Sequence, residues 1–319
     1  MPLPTLRDIY LARQRIYPLA QQTPLIHSLA LSEVVKTAVY LKLETVQQTG
    51  AFKIRGAANK ILSLTADEQA KGVVTVSTGN HGRAVAYVAQ QLGLRAVVCL
   101  PDQVLAHKVA AIQQLGAETI RSGQNQDEAE ARAAQLVAEQ GLTLIHPFDD
   151  PHIIAGQGTI GLELLQERPS LSSVIIPLSG GGLLGGIGLA LKTADPNLRV
   201  IGVSMARGPV MYHSLQAGQP VQMAELPTLA DSLQGGIGLD NRYTFQMVQQ
   251  VVDDVVLVSE EEIAAAMAFA FRQHHLVLEG GAAVGVAALW AGKVKALGAE
   301  TAVILSGGNV DTDKFKQII

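Results

Sequence analysis

Sulfur, aromatic rings and charge are all scarce in this chain. A single cysteine, Cys99, stands among 319 residues, which excludes an intrachain disulfide framework and a cysteine-based metal cage. Cys99 lies inside the apolar run Ala96–Leu100 and reads as core rather than as a nucleophile. Charged residues make up 16% and aromatics 4% of the chain, and the net charge is −4. The basic face that nucleic acid or an anionic membrane would need is therefore missing. No uncharged apolar stretch reaches membrane-spanning length; Val284–Trp290 is too short and charge follows it at once. The opening Met1–Asp8 has neither a signal-peptide core nor transit-peptide character. A soluble, cytoplasmic protein is expected, with no room after the last strand for an appended regulatory domain.

Aliphatic residues and glycine are plentiful. Hydrophobic residues reach 48% and there are 31 glycines, a profile that suits parallel strands covered by helices on both faces. Short β-branched runs recur at Ala38–Leu43, Val73–Ser77, Arg95–Leu100, Glu118–Ile120, Thr143–His146, Val174–Leu178, Arg199–Val203, Val255–Val258 and Ala302–Leu305. Helical patterns such as Asp127–Gln140 and Glu260–Arg272 lie between them. The alternation predicts an α/β protein with parallel open sheets. Nine strands are many for one sheet, so two lobes are expected. Residues 72–149 would form a small lobe, with 1–71 and 150–319 forming the large one.

Ligands of open α/β sheets bind beyond the carboxyl ends of strands, and three glycine-containing loops sit there. They are Ser77-Thr78-Gly79-Asn80-His81-Gly82, Ser179-Gly180-Gly181-Gly182-Leu183 and Ser306-Gly307-Gly308-Asn309. Each alone could be a tight strand-to-helix turn; three together, with a motif lysine, point to a shared ligand. Consecutive glycines at Gly180–Gly182 let backbone N–H groups converge at a helix start and hold a phosphate without Lys or Arg. Gly180–Gly185 also matches the dinucleotide pattern G-x-G-x-x-G, but no acidic residue ends the next strand, so a nicotinamide site is disfavoured. Ser77–His81 offers hydroxyls, an amide and backbone donors to an amino-acid carboxylate or to a phenolic oxygen. Lys53 opens a predicted helix within Gln48–Ala57. Lysine is the side chain whose amine can form an imine with an aldehyde cofactor. An exposed surface charge is the alternative for Lys53 alone, and helix capping the alternative for Asn80 and Ser306.

Five segments together, Thr49–Ala57, Ser77–Gly82, Ala155-Gly156-Gln157-Gly158-Thr159, Ser179–Gly182 and Leu305–Val310, closely resemble fold-type II (tryptophan synthase β-like) pyridoxal-phosphate enzymes, specifically the threonine dehydratase and serine racemase family. The resemblance implies pyridoxal 5'-phosphate as cofactor, carried on Lys53, with Phe52 against its ring. It further implies Asn80 at the phenolic oxygen, Ser179, Gly180, Gly181, Gly182 and Leu183 around the phosphate, Ser306 at the pyridine nitrogen and Glu279 near the ring. Ser77, Thr78, Gly79, Asn80, His81 and Arg83 would meet an amino-acid substrate. Lys53, as the base that takes the α-proton, and Thr78, on the opposite face, would be catalytic. The implied reaction is dehydration and deamination of a 3-hydroxy amino acid such as threonine or serine to a 2-oxo acid and ammonia, in a homodimer or homotetramer.

Departures from the family pattern sharpen this. Thr78 stands where racemases of the family tend to carry serine, and its methyl group crowds the site, which disfavours racemisation. Arg83 replaces a common glutamine; it is either an exposed charge with no task or a group that reads an extra anionic group on the substrate. Ser204, Gly208 and Val210 supply no carboxylates where the family binds a divalent cation, so no metal is expected there. The Ser204–Gly208 segment also resembles a subgroup of hydroxyectoine-utilisation dehydratases, acting on a modified hydroxy amino acid. An amino-acid racemase and a non-catalytic amino-acid or phosphate binding module are the competing functions.

Overall fold

The computed structural model describes residues 2–104 and 106–319, apart from the side chain of His107; Met1 of the opening segment lies outside them. Ten strands occur among the described residues: β1 Leu25–His27, β2 Ala38–Leu43, β3 Val73–Val76, β4 Ala96–Leu100, β5 Glu118–Arg121, β6 Thr143–Leu144, β7 Ser173–Pro177, β8 Arg199–Met205, β9 Asp254–Val258 and β10 Glu300–Leu305. They form a six-stranded sheet, β1-β2-β10-β7-β8-β9, and a four-stranded sheet, β5-β4-β3-β6. Every pairing is parallel except β1 with β2, where Leu25 faces Lys42 and His27 faces Tyr40.

The expected α/β class with parallel sheets is the one observed, and all nine expected runs contain a strand. β1 is the exception, an antiparallel edge strand that sequence pattern did not reveal. Three residues are too few to show a period of two, and Pro24 precedes them. β8 runs two residues past Val203, so Ser204 belongs to the strand instead of following it. Conversely, Ser77, Leu178 and His146 fall just beyond β3, β7 and β6. At Ser77 and Leu178 the chain leaves the sheet to form glycine loops, and at His146 it enters the Pro147–Asp149 segment.

Central strands carry the core because both of their faces are covered. Leu41, Val303, Ile175, Ile201 and Val203 are at most 1% exposed, and burying each such side chain stabilises the fold by roughly 1.5–3 kcal/mol. The helix Gly280–Trp290 lies on this sheet with Gly280 through Leu289 all buried. Its run of Gly, Ala and Val allows close approach to the strands and leaves no polar face. β3–β6, all between residues 72 and 149, form the second sheet, with a core of Val74, Val97, Ala133 and Leu136. Cys99 is buried there, and desolvation pushes its thiol pKa up, as suits an inert core cysteine.

Candidate active site

Four helices begin at one cleft: Lys53–Leu62, Asn80–Leu92, Gly182–Ala194 and Gly280–Trp290. The last three follow Ser77–Gly79, Ser179–Gly181 and Glu279. The cleft encloses about 1960 Å³, above the roughly 300–1,000 Å³ of an ordinary small-molecule pocket. All fifteen positions expected from the sequence line it: Phe52, Lys53, Ser77, Thr78, Gly79, Asn80, His81, Arg83, Ser179 with Gly180–Gly182, Leu183, Glu279 and Ser306.

Lys53 is the first residue of its helix, and backbone contacts place it. Gly50 adopts φ +71, a left-handed conformation that favours glycine. An isolated bridge then joins Ala51 to Gly307, with Phe52 N–H donating to Ser306 O at 3.0 Å and Gly308 N–H to Gly50 O at 2.9 Å. The lysine turn and the Ser306 loop are thereby stitched into one unit. Lys53 Nζ donates to Pro147 O at 2.7 Å and lies 5.2 Å from the Phe52 ring centroid. Desolvation lowers the Lys53 pKa to about 8, with Glu279 opposing the shift. Roughly a tenth of the amine is therefore neutral and nucleophilic at pH 7, far more than for an ordinary lysine.

Asn80 does not cap its helix; the N-cap is Gly79 and no side chain caps it. Its Nδ2 donates to both Glu279 carboxylate oxygens at 2.8 and 2.9 Å, while its Oδ1 accepts from Asn309 Nδ2 at 2.7 Å. Asn309 Nδ2 also donates to Thr49 O at 2.8 Å. This relay fixes the amide orientation and connects the lysine turn, the Asn80 loop and the Ser306 loop. Burial raises the Glu279 pKa, against the Asn80 hydrogen bond that lowers it. His81 is buried, with Nε2 at 2.9 Å from Ile145 O, and desolvation lowers its pKa to about 3. It is a neutral ring that donates from Nε2.

The glycine loop has the form of an anion cradle. Gly181 sits at φ +87, and a Cβ on Gly180 would meet the Phe148 ring at 2.5 Å. Only glycine allows the backbone to bend there and lie flat against that ring. The 13-residue helix starting at Gly182 turns its positive end toward the loop. Ser179 Oγ donates to Leu233 O at 2.8 Å, securing the loop to the segment Asp231–Leu233. Ser306 is 4% exposed and lines the cleft.

Residues that sequence reasoning did not assign also shape the site. Pro147 O holds the lysine, Phe148 walls the glycine loop, and Asp149 accepts the backbone N–H groups of Arg242, Tyr243 and Thr244 at 2.8–2.9 Å. No spacing or composition marks Pro147–Asp149 in advance. Asn309 and Gln157 lay within quoted motifs, so their positions were visible although their contacts were not. Away from the cleft, Ser204 is buried and donates to Met205 Sδ at 3.5 Å.

A reactive amine and a backbone cradle for an anion, brought together at the ends of parallel strands, define an enzyme that works through a phosphorylated aldehyde. The chain belongs to the pyridoxal-phosphate dependent enzyme family, whose model matches residues 16–307. It is 49% identical over 315 residues to a Sinorhizobium fredii protein provisionally named a threonine dehydratase, covering 99% of this chain and 95% of that protein. The L-threonine ammonia-lyase of Thermotoga maritima is 41% identical over 99% of this chain and 78% of its own length. Maize serine racemase superposes with a TM-score of 0.94 at 34% identity, covering 99% of this chain and 97% of that one. No helix among the described residues is long and apolar enough to cross a membrane.

Proposed function

We propose that this chain catalyses the pyridoxal-phosphate-dependent dehydration and deamination of a 3-hydroxy amino acid, threonine and serine being the simplest, to a 2-oxo acid and ammonia. The observation that carries the reading is the Lys53 amine, lowered to a pKa of about 8 and held on Pro147 O in the cleft that the glycine loop also lines. Likeness to an L-threonine ammonia-lyase over 99% of this chain supports it. The bound cofactor supplies an aldehyde for that amine and an electron sink for the substrate's α-carbon.

The chain's own residues supply the rest. Gly180, Gly181, Gly182 and Leu183, with Ser179, would hold the phosphate, Phe52 would flank the ring, and Asn80 and Ser306 would supply hydrogen-bonding groups to its oxygen and nitrogen. A neutral hydroxyl such as that of Ser306 would not protonate the nitrogen, and the weaker electron sink so supplied would favour prompt loss of the β-hydroxyl over reprotonation. Glu279 keeps Asn80 in one orientation. Lys53 Nζ takes the α-proton. The Ser77–Gly79 turn receives the substrate carboxylate, and Thr78, with no proton relay behind it in the described contacts, disfavours delivery of a proton to the opposite face.

We also infer that residues 72–149 act as a lobe closing on 1–71 and 150–319, supported by their separate sheet. A homodimer or homotetramer is supported by the exposed Tyr10, Leu11 and Tyr17. The cytoplasm is the compartment that amino-acid breakdown and an unpaired Cys99 favour. The relatives named above do not bear on the likeness to hydroxyectoine-utilisation dehydratases.

The test is to incubate the holoenzyme with single enantiomers of 3-hydroxy amino acids of different size and charge, following 2-oxo acid, ammonia and the opposite enantiomer. Elimination should exceed racemisation for every substrate turned over. Racemisation outpacing 2-oxo acid release would overturn the reading in favour of a racemase.

A further inference from the structure

Three buried side-chain polar atoms among the described residues have no hydrogen-bond partner: His81 Nδ1, Arg83 Nε and Gln157 Oε1. All three residues line the cleft that contains Lys53. Buried polar groups in folded proteins are almost always satisfied, and an unpaired one costs roughly 1–3 kcal/mol. Unpaired atoms confined to one cleft therefore mark a place where a polar ligand docks.

The three differ in what they need. His81 donates from Nε2 to Ile145 O, which leaves Nδ1 an acceptor, and Gln157 Oε1 is an acceptor as well. Arg83 Nε–H is a donor on a full positive charge. Two lysines at the cleft are neutralised by protein carboxylates: Lys60 pairs with Asp150 at 2.6 Å and Lys108 with Asp231 at 3.6 Å. The Arg83 guanidinium has no such carboxylate among the described residues. Arg83 is in the first turn of the helix Asn80–Leu92, its N–H donating to Gly79 O at 3.2 Å. Three residues apart, Arg83 and Asn80 share one helix face, so the free cation stands on the side that carries the Asn80 relay.

The cofactor phosphate and the substrate α-carboxylate already have their places in the reading above, at Gly180–Gly182 and Ser77–Gly79. We propose that Arg83 binds a second anionic group at the far end of the substrate side chain, so that the preferred substrates are acidic 3-hydroxy amino acids. This rests on the elimination chemistry assigned to Lys53. A guanidinium matches a carboxylate with two parallel hydrogen bonds, and the cleft of about 1960 Å³ has room for the added group. The smallest probe of the class is 3-hydroxyaspartate. Its Cα–H and Cβ–O bonds break, the α,β double bond forms and water leaves; the enamine then tautomerises to an imine, takes up water and releases ammonia with oxaloacetate.

The experiment compares wild type, Arg83→Gln and Arg83→Lys holoenzymes on 3-hydroxyaspartate, serine and threonine. Beside turnover, it measures the Kd of L-aspartate against L-2-aminobutyrate, which lack the leaving hydroxyl and so report binding alone. The wild type should favour 3-hydroxyaspartate over threonine by about tenfold or more in kcat/KM, equivalent to about 1.4 kcal/mol. Arg83→Gln should erase that ratio and weaken aspartate binding by a similar factor. Arg83→Lys, which keeps the charge but not the fork, should fall between and serves if the glutamine variant does not fold. A wild type that prefers threonine, or equal losses on all substrates in Arg83→Gln, overturns the inference and leaves the elimination reading standing. If no substrate yields a 2-oxo acid, the elimination reading fails, and the aspartate Kd still decides whether Arg83 binds a second anion.

Discussion

Lys53 owes its reactivity to where its amine is held. Desolvation lowers its pKa to about 8, and Glu279, itself kept protonation-prone by burial, only partly reverses the shift. The neutral amine is the nucleophile, so its fraction rises as pH rises through about 8 and saturates above it. Reconstitution of cofactor-free protein with pyridoxal phosphate, followed by its visible absorbance, should accelerate between pH 7 and 9 and level off beyond. Lys53→Ala should remove that absorbance and turnover together while the protein stays folded. A pH-independent rate, or an active alanine variant, would show that another group receives the cofactor. Lysine, glycine and serine could be recognised here from sequence because their roles follow from residue type: an amine, a left-handed backbone, a hydroxyl. The contacts of Asn309, Phe148 and Gln157 could not, since an amide or a ring acquires its task only from what lies opposite.

Elements are held in register by a buried charge network beneath the lysine helix. Arg55, two positions after Lys53 and 1% exposed, contacts Glu44 through Nε and Nη2 at 2.8 Å each and Glu163 through Nη1 and Nη2 at 2.5 and 2.9 Å. Lys42 Nζ reaches Glu163 at 2.8 Å and Thr23 O at 2.6 Å. The network ties the helices Lys53–Leu62 and Pro151–Glu167 to β2 and the turn after it. Burial alone would lower the Arg55 pKa, but Glu44 and Glu163 hold it above its usual value; burial would raise Glu44, but Arg55 holds it below. Arg55→Met strands the Glu44 carboxylate and should cost about 3–5 kcal/mol in denaturant unfolding. A loss below about 1 kcal/mol would mean that the carboxylates find other partners or take up protons at little cost. The depressed Glu44 pKa adds stability that is complete above its unfolded value near 4.5 and is lost as pH falls through the folded value. Sequence pattern located the helix at Lys53, yet the network was illegible, because its members stand far apart along the chain and each resembles an ordinary surface charge.

At the scale of the whole molecule, function depends on two sheets presenting their loops to one cleft. The four-stranded sheet contributes the Ser77–Gly79 turn, and the six-stranded sheet contributes the Ser179–Gly181 and Ser306 loops. Lys108 and Asp231, 3.6 Å apart, reach across between the two parts. The segment at Ser204, Gly208 and Val210 carries no carboxylate that a hard divalent cation would require. Exhaustive chelation should therefore leave both the activity and the melting temperature of the holoenzyme unchanged. A loss that magnesium restores would reveal a cation site formed from other ligands.

Strand–helix alternation, the helix starts and the chemistry of the three glycine loops were determined by local sequence, because period, capping and backbone freedom act over a few residues. Tertiary structure alone decided the rest. It set the antiparallel edge strand β1, whose three residues gain order only from pairing with β2. It made Pro147 O the partner of the lysine and joined Asn309, Asn80 and Glu279, up to 229 residues apart, into a single relay. It also left Arg83 Nε buried without a partner. Such contacts depend on which distant groups the fold brings opposite one another, and desolvation then gives each of them its charge state.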